Sequence, residues 1–264
     1  AMRKLLSTDI DGTLLFNAAI SQDDLDAMTR WRDAGNLLVP NTGRSVAALH
    51  SALSGSDLAF DYSVLYTGAA LTDGGYDVLE ARTLPDGLAE EVLDLLEDET
   101  GVTVFATTLE GDLQLYDSIG SDTALLTLFS RASRADLAGR TVVGVPLRIA
   151  DPALMAHMQA EVARRWGDVA VGFHNQNFLD IVPAGSSKGA GLTALVERLA
   201  ADGPCRGERI ETWSIGDSWN DISMHETADH AVAMNGSPPE VLAVCERTTT
   251  SVASLIDSVL ASSE

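Results

Sequence analysis

Short apolar runs alternate with helical patterns in the first third of this chain, and the same alternation returns after a long interruption. Lys4–Thr8 predicts a buried strand, Ser21 caps a helix that Gly35 ends, and Leu37–Pro40 predicts a second strand. Strands that are separated by helices are joined by crossovers, which make neighbouring strands parallel. The chain is therefore expected to begin as one half of a parallel sheet.

The alternation resumes after Pro183 and indicates the other half of the same sheet. The elements predicted there are a helix near Ser187–Ala201, strands at Ile210–Ile215 and Ala231–Met234, and a last helix at Ser251–Leu260. Between the two halves, strands joined by short turns predict an antiparallel α+β module. We expect an α/β protein with a Rossmann-like parallel-sheet core (residues 1–81 and 184–264) and an inserted α+β cap domain (residues 82–183).

Charge and cysteine content exclude several classes of protein. The net charge of −22 opposes binding to nucleic acid or to an anionic membrane. A phosphorylated ligand needs local cations, and the only lysines are Lys4 and Lys188. Cys205 and Cys245 are isolated, which suits reduced thiols rather than a disulfide scaffold. No apolar run approaches the roughly 18 residues that a membrane span needs. The charged start of the sequence lacks the apolar core of a signal peptide. A cytoplasmic protein is expected.

The segment Thr8-Asp9-Ile10-Asp11-Gly12-Thr13-Leu14 stands where the first strand ends. Asp9 and Asp11 lie on one face of an extended chain, at most ~7 Å apart. Gly12 allows backbone amides to approach an anion. Carboxylates at the carboxyl end of a parallel strand lie where open α/β sheets bind ligands. The alternative is an acidic surface turn.

A second acidic segment, Ile215-Gly216-Asp217-Ser218-Trp219-Asn220-Asp221, follows a later strand and leads into a helix. A helical turn would bring Asp217, Asn220 and Asp221 to one side. Helix capping by Asp217 is the alternative. Four converging carboxylates would raise one another's pKa values unless a cation joined them, and all-oxygen ligation indicates Mg²⁺ rather than zinc.

Two further segments offer groups that bind phosphate. Asn41-Thr42-Gly43-Arg44 follows the second strand and supplies a hydroxyl, an unhindered amide and a guanidinium. Lys188 opens a helix and supplies a point charge. Each segment alone is also compatible with a solvated turn. Gly189, Gly191 and Ala194 match the dinucleotide pattern G-x-G-x-x-A, but they lie inside the predicted helix rather than before it, which argues against that function.

Taken in order, the segments DIDGTL, TGR, Lys188 and GDSWND resemble the four motifs of the haloacid dehalogenase superfamily of phosphohydrolases. The inserted module of about a hundred residues resembles the large cap of Cof-type sugar-phosphate phosphatases. The resemblance implies that Asp9 is the nucleophile and that Asp11 is the general acid and base. It further implies phosphate binding by Thr42, Gly43 and Lys188.

The resemblance also implies Mg²⁺ as the cofactor. Its ligands would be Asp9, the Asp11 carbonyl and Asp217, with Asp221 supporting the site and Asn220 near the phosphate. The substrate would be a small phosphorylated metabolite, such as a sugar phosphate. A phosphomutase, and a non-catalytic phospho-acceptor or sugar-binding module, are the competing functions.

Substrate specificity is the least determined property. Cof-type proteins commonly carry Asn-Gly-Ala after the third strand, where this chain has Thr67-Gly68-Ala69, and Gly-Asn-Ala near the end, where it has Asn235-Gly236-Ser237. We expect Arg44, Thr67 and Gly68 to border the substrate. His174 and Asn175 lie in a polar segment between two cap strands and are expected to bind the leaving group, with a polar surface hairpin as the alternative. Neither the substrate nor the oligomeric state follows from the sequence.

Overall fold

A computed structural model describes residues 2–120 and 128–262 of the chain. The strands are β1 Met2–Thr8, β2 Leu37–Pro40, β3 Tyr62–Leu65, β4 Ala70–Asp73, β5 Val78–Ala81, β6 Val102–Thr108, β7 Gly111–Asp117, β8 Ser130–Arg131, β9 Val142–Ile149, β10 Ala170–Asn175, β11 Phe178–Pro183, β12 Arg209–Gly216, β13 His230–Met234 and β14 Arg247–Thr249. The helices are α1 Gln22–Asp33, α2 Val46–Ala52, α3 Leu88–Leu96, α4 Pro152–Trp166, α5 Lys188–Ala201, α6 Ile222–Thr227, α7 Pro239–Leu242 and α8 Val252–Ala261.

Two compact units divide the chain. The first unit comprises the chain up to Thr42, residues Ala52–Glu80, and the chain from Ser187 onward. The second unit comprises Gly43–Ser51 and Ala81–Ser186. None of the helices within residues 2–120 and 128–262 combines the length and the apolar character of a membrane span.

The first unit contains a five-stranded parallel sheet in the order β14-β13-β12-β1-β2. Ser21 caps α1 by accepting a hydrogen bond from the amide of Asp24, and Ser187 caps α5 in the same way. Leu192, Leu195 and Leu199 form the apolar face of α5 and pack in one cluster with buried residues of β1 and β2.

The third strand departs from the parallel arrangement. β3 pairs antiparallel with β4 in a separate three-stranded sheet of order β3-β4-β5. A single parallel bridge, between Asn41 and Val64, joins it to the end of β2. Gly74 and Gly75 lie in the turn between β4 and β5. The sheet turns back at residues 66–69 because three successive residues there have positive φ angles.

The second unit is an antiparallel sheet with helices. Its strand order is β10-β11-β9-β6-β7-β8, and only the short contact of β7 with β8 is parallel. Apolar side chains of α3 and α4 share one core with residues of β6, β9 and β11. Asp151 caps α4, Pro152 occupies its first turn and Gly167 ends it. Both the parallel and the antiparallel part of the predicted fold class are therefore present.

Residues 43–51 pack with the second unit, whereas the sequence analysis assigns them to the core. The physical reason is a buried contact in which the Ser45 hydroxyl donates a hydrogen bond to the carboxylate of Asp112 on β7. The same hydroxyl accepts a hydrogen bond from the amide of Ala48 at 3.1 Å and so caps α2. Burial raises the pKa of Asp112 to about 6, although the bond from Ser45 acts in the opposite direction.

Asp112 is predicted to make the protein less stable as the pH rises from 4.5 to 7. Its pKa is higher in the folded than in the unfolded chain, so its favourable contribution is complete below the unfolded pKa and is lost as the pH passes about 6. The free energy of unfolding of the wild type, measured relative to Asp112→Asn in urea, should decrease by about 2 kcal/mol over this range. A difference that does not change with pH would contradict the assignment.

Candidate active site

The first two acidic segments meet because β1 and β12 are adjacent in the parallel sheet. Thr8 pairs with Ile215, and the amide of Asp9 donates a hydrogen bond to the carbonyl oxygen of Ile215 at 2.9 Å. Asp9 and the segment that begins at Gly216 therefore leave the same edge of the sheet side by side. This is the edge where open parallel sheets bind ligands.

Lys188 lies at the centre of the site and is fully buried. Its Nζ is 2.8 Å from Oδ1 of Asp9 and 2.5 Å from Oδ1 of Asp221. Burial alone lowers the pKa of Lys188, but the carboxylates of Asp221 and Asp9 more than reverse this effect and raise it above its usual value. Lys188 therefore stays charged and joins the first residue after β1 to the turn after β12.

Asp221 has both carboxylate oxygens engaged. Oδ1 contacts Lys188, while Oδ2 accepts hydrogen bonds from the amides of Asp217 and Ser218, each at 2.9 Å. The capping role considered for Asp217 is thus performed by Asp221, together with Ser218. Gly216 permits this geometry, because a Cβ atom there would lie 2.5 Å from Cγ of Asp221.

Asp217 is held against the first acidic segment. The Thr13 hydroxyl donates a hydrogen bond to Oδ1 of Asp217 at 2.9 Å. Gly12 has a φ of +80°, and a Cβ atom on it would lie 2.5 Å from Oδ2 of Asp217. The absence of a side chain at Gly12 therefore admits this carboxylate. Thr13 belongs to the quoted motif, but nothing in the sequence gave it a role of its own.

Asp9, Asp217 and Asp221 form a cluster whose potential ligand oxygens all lie within 4.8 Å of one another. Burial and the Asp221 carboxylate raise the pKa of Asp9 well above its usual value, whereas Lys188 acts to lower it. Burial and Asp221 also raise the pKa of Asp217. Lys188 alone does not compensate the negative charge of three carboxylates, and an all-oxygen donor set suits a hard divalent cation.

Asp11 lies two residues beyond Asp9, half-buried, in a backbone bridge with Leu15. Its carboxylate is not part of the three-carboxylate cluster found among the described residues. The role expected of its backbone carbonyl stays a prediction.

Two buried asparagines border Lys188 and the acidic turn. Asn41 donates hydrogen bonds to the carbonyl oxygen of Lys188 at 2.9 Å and to Ser7 at 3.2 Å, so it holds the first turn of α5 against β1. Sequence reasoning gave Asn41 no such role, and its position directly after a buried strand was the available signal. Asn220 is buried, and its Oδ1 has no hydrogen-bond partner among the described residues. That oxygen is available to a ligand.

Other predicted site residues fall into two groups. Thr42, Thr67 and Gly68 lie in the first unit and are joined through backbone contacts. The remaining ones, Gly43, Arg44, His174 and Asn175, lie in the second unit.

His174 and Asn175 are on opposite faces of the second unit's sheet. His174 pairs with Leu179, whose side chain belongs to the core that includes α3 and α4. Asn175 pairs with Phe178 and, by alternation, points the other way.

The glycine pair in α5 serves helix packing. The helix begins at Lys188, so Gly189 and Gly191 lie inside it. A Cβ atom on Gly189 would lie 2.2 Å from the carbonyl oxygen of Ser223, and one on Gly191 would lie 2.4 Å from Val64. The glycines let α5 approach its neighbours closely, which accounts for the dinucleotide-like pattern.

Comparison with known proteins identifies the family. A sequence profile of haloacid dehalogenase-like hydrolases matches residues 6–261. The chain belongs to this family. It is 28% identical to the pyridoxal phosphate phosphatase YbhA of Escherichia coli, with 97% of this chain and 98% of that protein covered. It is 25% identical to the 5-amino-6-(5-phospho-D-ribitylamino)uracil phosphatase YwtE of Bacillus subtilis, with 90% of each covered.

Solved structures of haloacid dehalogenase-like proteins share the fold. A sugar phosphatase of subclass IIB superposes with a TM-score of 0.80 at 21% identity, and 97% of this chain and 98% of that chain are covered. A hydrolase from B. subtilis gives a TM-score of 0.80 at 19% identity, covering 96% and 98%. The predicted family, fold class and enzyme class, a phosphoric monoester hydrolase of the haloacid dehalogenase type, are confirmed.

Replacing Lys188 should destabilise the fold even without substrate. Lys188→Met leaves the Asp9 and Asp221 carboxylates buried without their cation, so the free energy of unfolding in urea with EDTA should fall by ~3 kcal/mol. Lys4→Met, at the other lysine of the chain, is the control and should cost less than ~1 kcal/mol. Equal losses in the two variants would contradict the central role of Lys188.

Proposed function

We propose that this protein is a phosphatase that hydrolyses a small phosphorylated metabolite, with a sugar phosphate as the substrate class, through an aspartyl-phosphate on Asp9. The observation that carries the proposal is the position of the Asp9 carboxylate at the end of a parallel strand, 2.8 Å from a buried ammonium. Phosphoryl transfer requires an aligned nucleophile and compensating charge more than any other catalytic group. The similarity to named phosphatases supports the same reaction.

In the first step, a carboxylate oxygen of Asp9 attacks phosphorus, and the bond from phosphorus to the leaving oxygen breaks. Asp11, as general acid, gives that oxygen its proton. In the second step Asp11 takes a proton from water, the water oxygen attacks phosphorus, and the bond between phosphorus and Asp9 breaks to release inorganic phosphate. Lys188 orients Asp9 and neutralises phosphoryl charge in both steps.

The cofactor proposed for this chemistry is Mg²⁺. The carboxylates of Asp9 and Asp217 and the carbonyl oxygen of Asp11 would hold it, with Asp221 supporting them. When bound there, Mg²⁺ would supply positive charge to the phosphoryl oxygens and would favour the ionised form of Asp9, whose pKa burial raises. The excess of carboxylates over ammonium groups in the cluster supports this assignment.

The phosphoryl oxygens are proposed to bind Thr42, Asn220, and the backbone amides of Gly12 and Gly43. One observation supports the set: Gly12 has the positive φ of an anion-binding turn. Asn220 would donate to a phosphoryl oxygen from its side-chain NH2 group, because an amide oxygen and a phosphoryl oxygen are both acceptors. Residues 82–183 are proposed as the cap that selects the substrate.

Substrate selection is proposed to involve Arg44, Thr67, Gly68, and either His174 or Asn175. Since His174 and Asn175 point to opposite faces of one sheet, a ligand bound to one face contacts only one of them. A cytoplasmic location is proposed from the two free cysteines.

A phosphomutase is the second candidate, because it would share the nucleophile but return the phosphoryl group to a sugar. Release of phosphate without an activating bisphosphate separates the two reactions. A non-catalytic acceptor would have no use for Asp11 as an acid. A panel of sugar phosphates, pyridoxal phosphate, flavin mononucleotide and nucleotides, assayed for inorganic phosphate, tests the class directly.

Asp9→Asn should abolish turnover while the fold is retained. The amide is a far weaker nucleophile, so phosphate release should fall by at least ~10³-fold, with an unchanged far-ultraviolet circular dichroism spectrum. Asp23→Asn, on the exposed side of α1, is the matched control and should keep wild-type activity. Activity of Asp9→Asn within about tenfold of the wild type would exclude the aspartyl-phosphate mechanism.

Asp217→Asn should weaken Mg²⁺ binding. We expect a rise of ~10-fold or more in the Mg²⁺ concentration for half-maximal rate, because one charged oxygen ligand is lost. A readout without turnover is the increase in the unfolding midpoint on addition of Mg²⁺, which should be present in the wild type and smaller in the variant. Full activity of the wild type in EDTA would contradict the metal assignment.

A further inference from the structure

The turn between β3 and β4 has an unusual backbone. Tyr66, Thr67 and Gly68 have φ angles of +51°, +53° and +87°. Left-handed conformations are unfavourable for residues with a Cβ atom, and most of all for a β-branched residue such as threonine. Two such residues in succession, Tyr66 and Thr67, are both buried, and they cost free energy that neighbouring contacts must offset. The contacts of this turn therefore indicate what it does.

On one side the turn holds the backbone of Thr42. The amide of Thr67 donates a hydrogen bond to the carbonyl oxygen of Thr42 at 3.1 Å. The amide of Thr42 donates in turn to the carbonyl oxygen of Val64 at 3.0 Å. Both backbone groups of Thr42 are thus hydrogen-bonded to residues 64–67.

On its other side the turn lies against the start of α5. An added Cβ atom on Gly68 would lie 1.8 Å from the carbonyl oxygen of Ser187, so the two backbones are in direct contact. Ser187 caps α5 and immediately precedes Lys188. Gly191, one turn further on, also faces Gly68, since its Cβ would lie 3.0 Å from the Gly68 Cα. Contacts with Gly68 therefore span the first helical turn of α5, from Ser187 to Gly191.

We propose that residues 66–68, termed here the positioning turn, set the spacing between Thr42 and Lys188. The amide of Thr67 bonds to Thr42, and Gly68 packs against Ser187, the residue before Lys188. The turn is therefore a rigid spacer between Thr42 and Lys188. The inference rests on the proposed function for the roles of Thr42 and Lys188 as phosphate-binding groups. The positioning turn itself does not touch the reacting atoms in this scheme.

The backbone of Thr67, rather than its hydroxyl, performs this task. Thr67 is buried and its Oγ1 has no hydrogen-bond partner among the described residues, whereas its amide is bonded to Thr42. An asparagine tolerates the same backbone conformation better than threonine. Asparagine at position 67 is therefore expected to preserve the spacing and to lower the free-energy cost of the left-handed backbone.

Gly68→Ala tests the proposal, with Gly35→Ala as the matched control. Both glycines have positive φ, at +87° and +81°, so both variants carry the same kind of backbone strain. A Cβ atom at Gly35 meets nothing within 4 Å, whereas one at Gly68 displaces Ser187. We expect kcat for p-nitrophenyl phosphate to fall by about 100-fold in Gly68→Ala with KM changed by less than about threefold, and Gly35→Ala to stay within about twofold of the wild type.

Rates are measured below the unfolding midpoint of each variant and expressed per folded molecule. If Gly68 contributed only to the stability of the fold, kcat expressed in this way would not change. Equal kcat values for Gly68→Ala and Gly35→Ala would overturn the proposal. If Gly68→Ala does not fold, Thr67→Gly replaces it, because it frees the turn without adding atoms. Thr67→Gly is expected to lose kcat while its unfolding midpoint stays unchanged. A wild-type kcat in Thr67→Gly would overturn the proposal.

Two variants at Thr67 separate the backbone from the hydroxyl. Thr67→Asn should raise the unfolding midpoint, because asparagine tolerates a left-handed backbone better than threonine. Thr67→Val removes only an unbonded hydroxyl and should leave the distance from Lys188 Nζ to Asp9 Oδ1 at 2.8 Å in a crystal structure. A longer distance from Lys188 Nζ to Asp9 Oδ1 in Thr67→Val would assign the positioning to the side chain and overturn the backbone role.

A crystal structure of Gly68→Ala supplies a readout that is independent of turnover. The distance from Lys188 Nζ to Asp9 Oδ1, 2.8 Å in the wild type, is expected to increase beyond hydrogen-bonding range. An unchanged distance would overturn the positioning role even if activity is lost. If the wild type releases no phosphate from any substrate, the proposed function fails, and this distance alone decides the role of the turn.

Discussion

The fully buried ammonium of Lys188 is the group around which the first unit is organised. A buried charge is tolerated only where it is paired and hydrogen-bonded, and here the partners come from two strands that are distant in sequence. Their carboxylates must reach the same point, which requires β1 and β12 to be neighbours and the chain to turn sharply after each. The bare backbone of Gly216 meets that requirement, because a Cβ atom there would lie 2.5 Å from Cγ of Asp221. Charge pairing therefore constrains the local conformation of the chain after β1 and after β12.

Much of this arrangement could be predicted because it follows from periodicity and strand ends. Alternating strands and helices predict a parallel sheet, and residues at the carboxyl ends of adjacent strands must lie close together. The proximity of Asp9, Asp217 and Asp221 could therefore be predicted from their positions at strand ends alone, although more than 200 residues separate Asp9 from the other two. The resemblance to a known family added the roles of these residues. The metal identity and the phosphate contacts still stand as proposals.

The features that were not predicted depend on single contacts between distant residues. No pattern in residues 43–51 indicates that Ser45 bonds to Asp112, 67 positions away, and that bond is what draws the segment into the second unit. The return of the chain after β3 depends on positive φ angles at Tyr66 and Thr67, residue types that give no such signal. The opposite orientation of His174 and Asn175, in contrast, follows from the two-residue period of a strand and was available from the sequence.

The division of the chain has a consequence for modularity. The chain passes from one unit to the other at four junctions, after Thr42, Ser51, Glu80 and Ser186. The second unit is consequently not a single contiguous insert, since it also includes residues 43–51, which directly follow Thr42. An exchange of residues 81–186 alone between relatives would separate them from residues 43–51, with which they form one unit. A chimera that keeps the second unit intact therefore has to take residues 43–51 and 81–186 from the same parent.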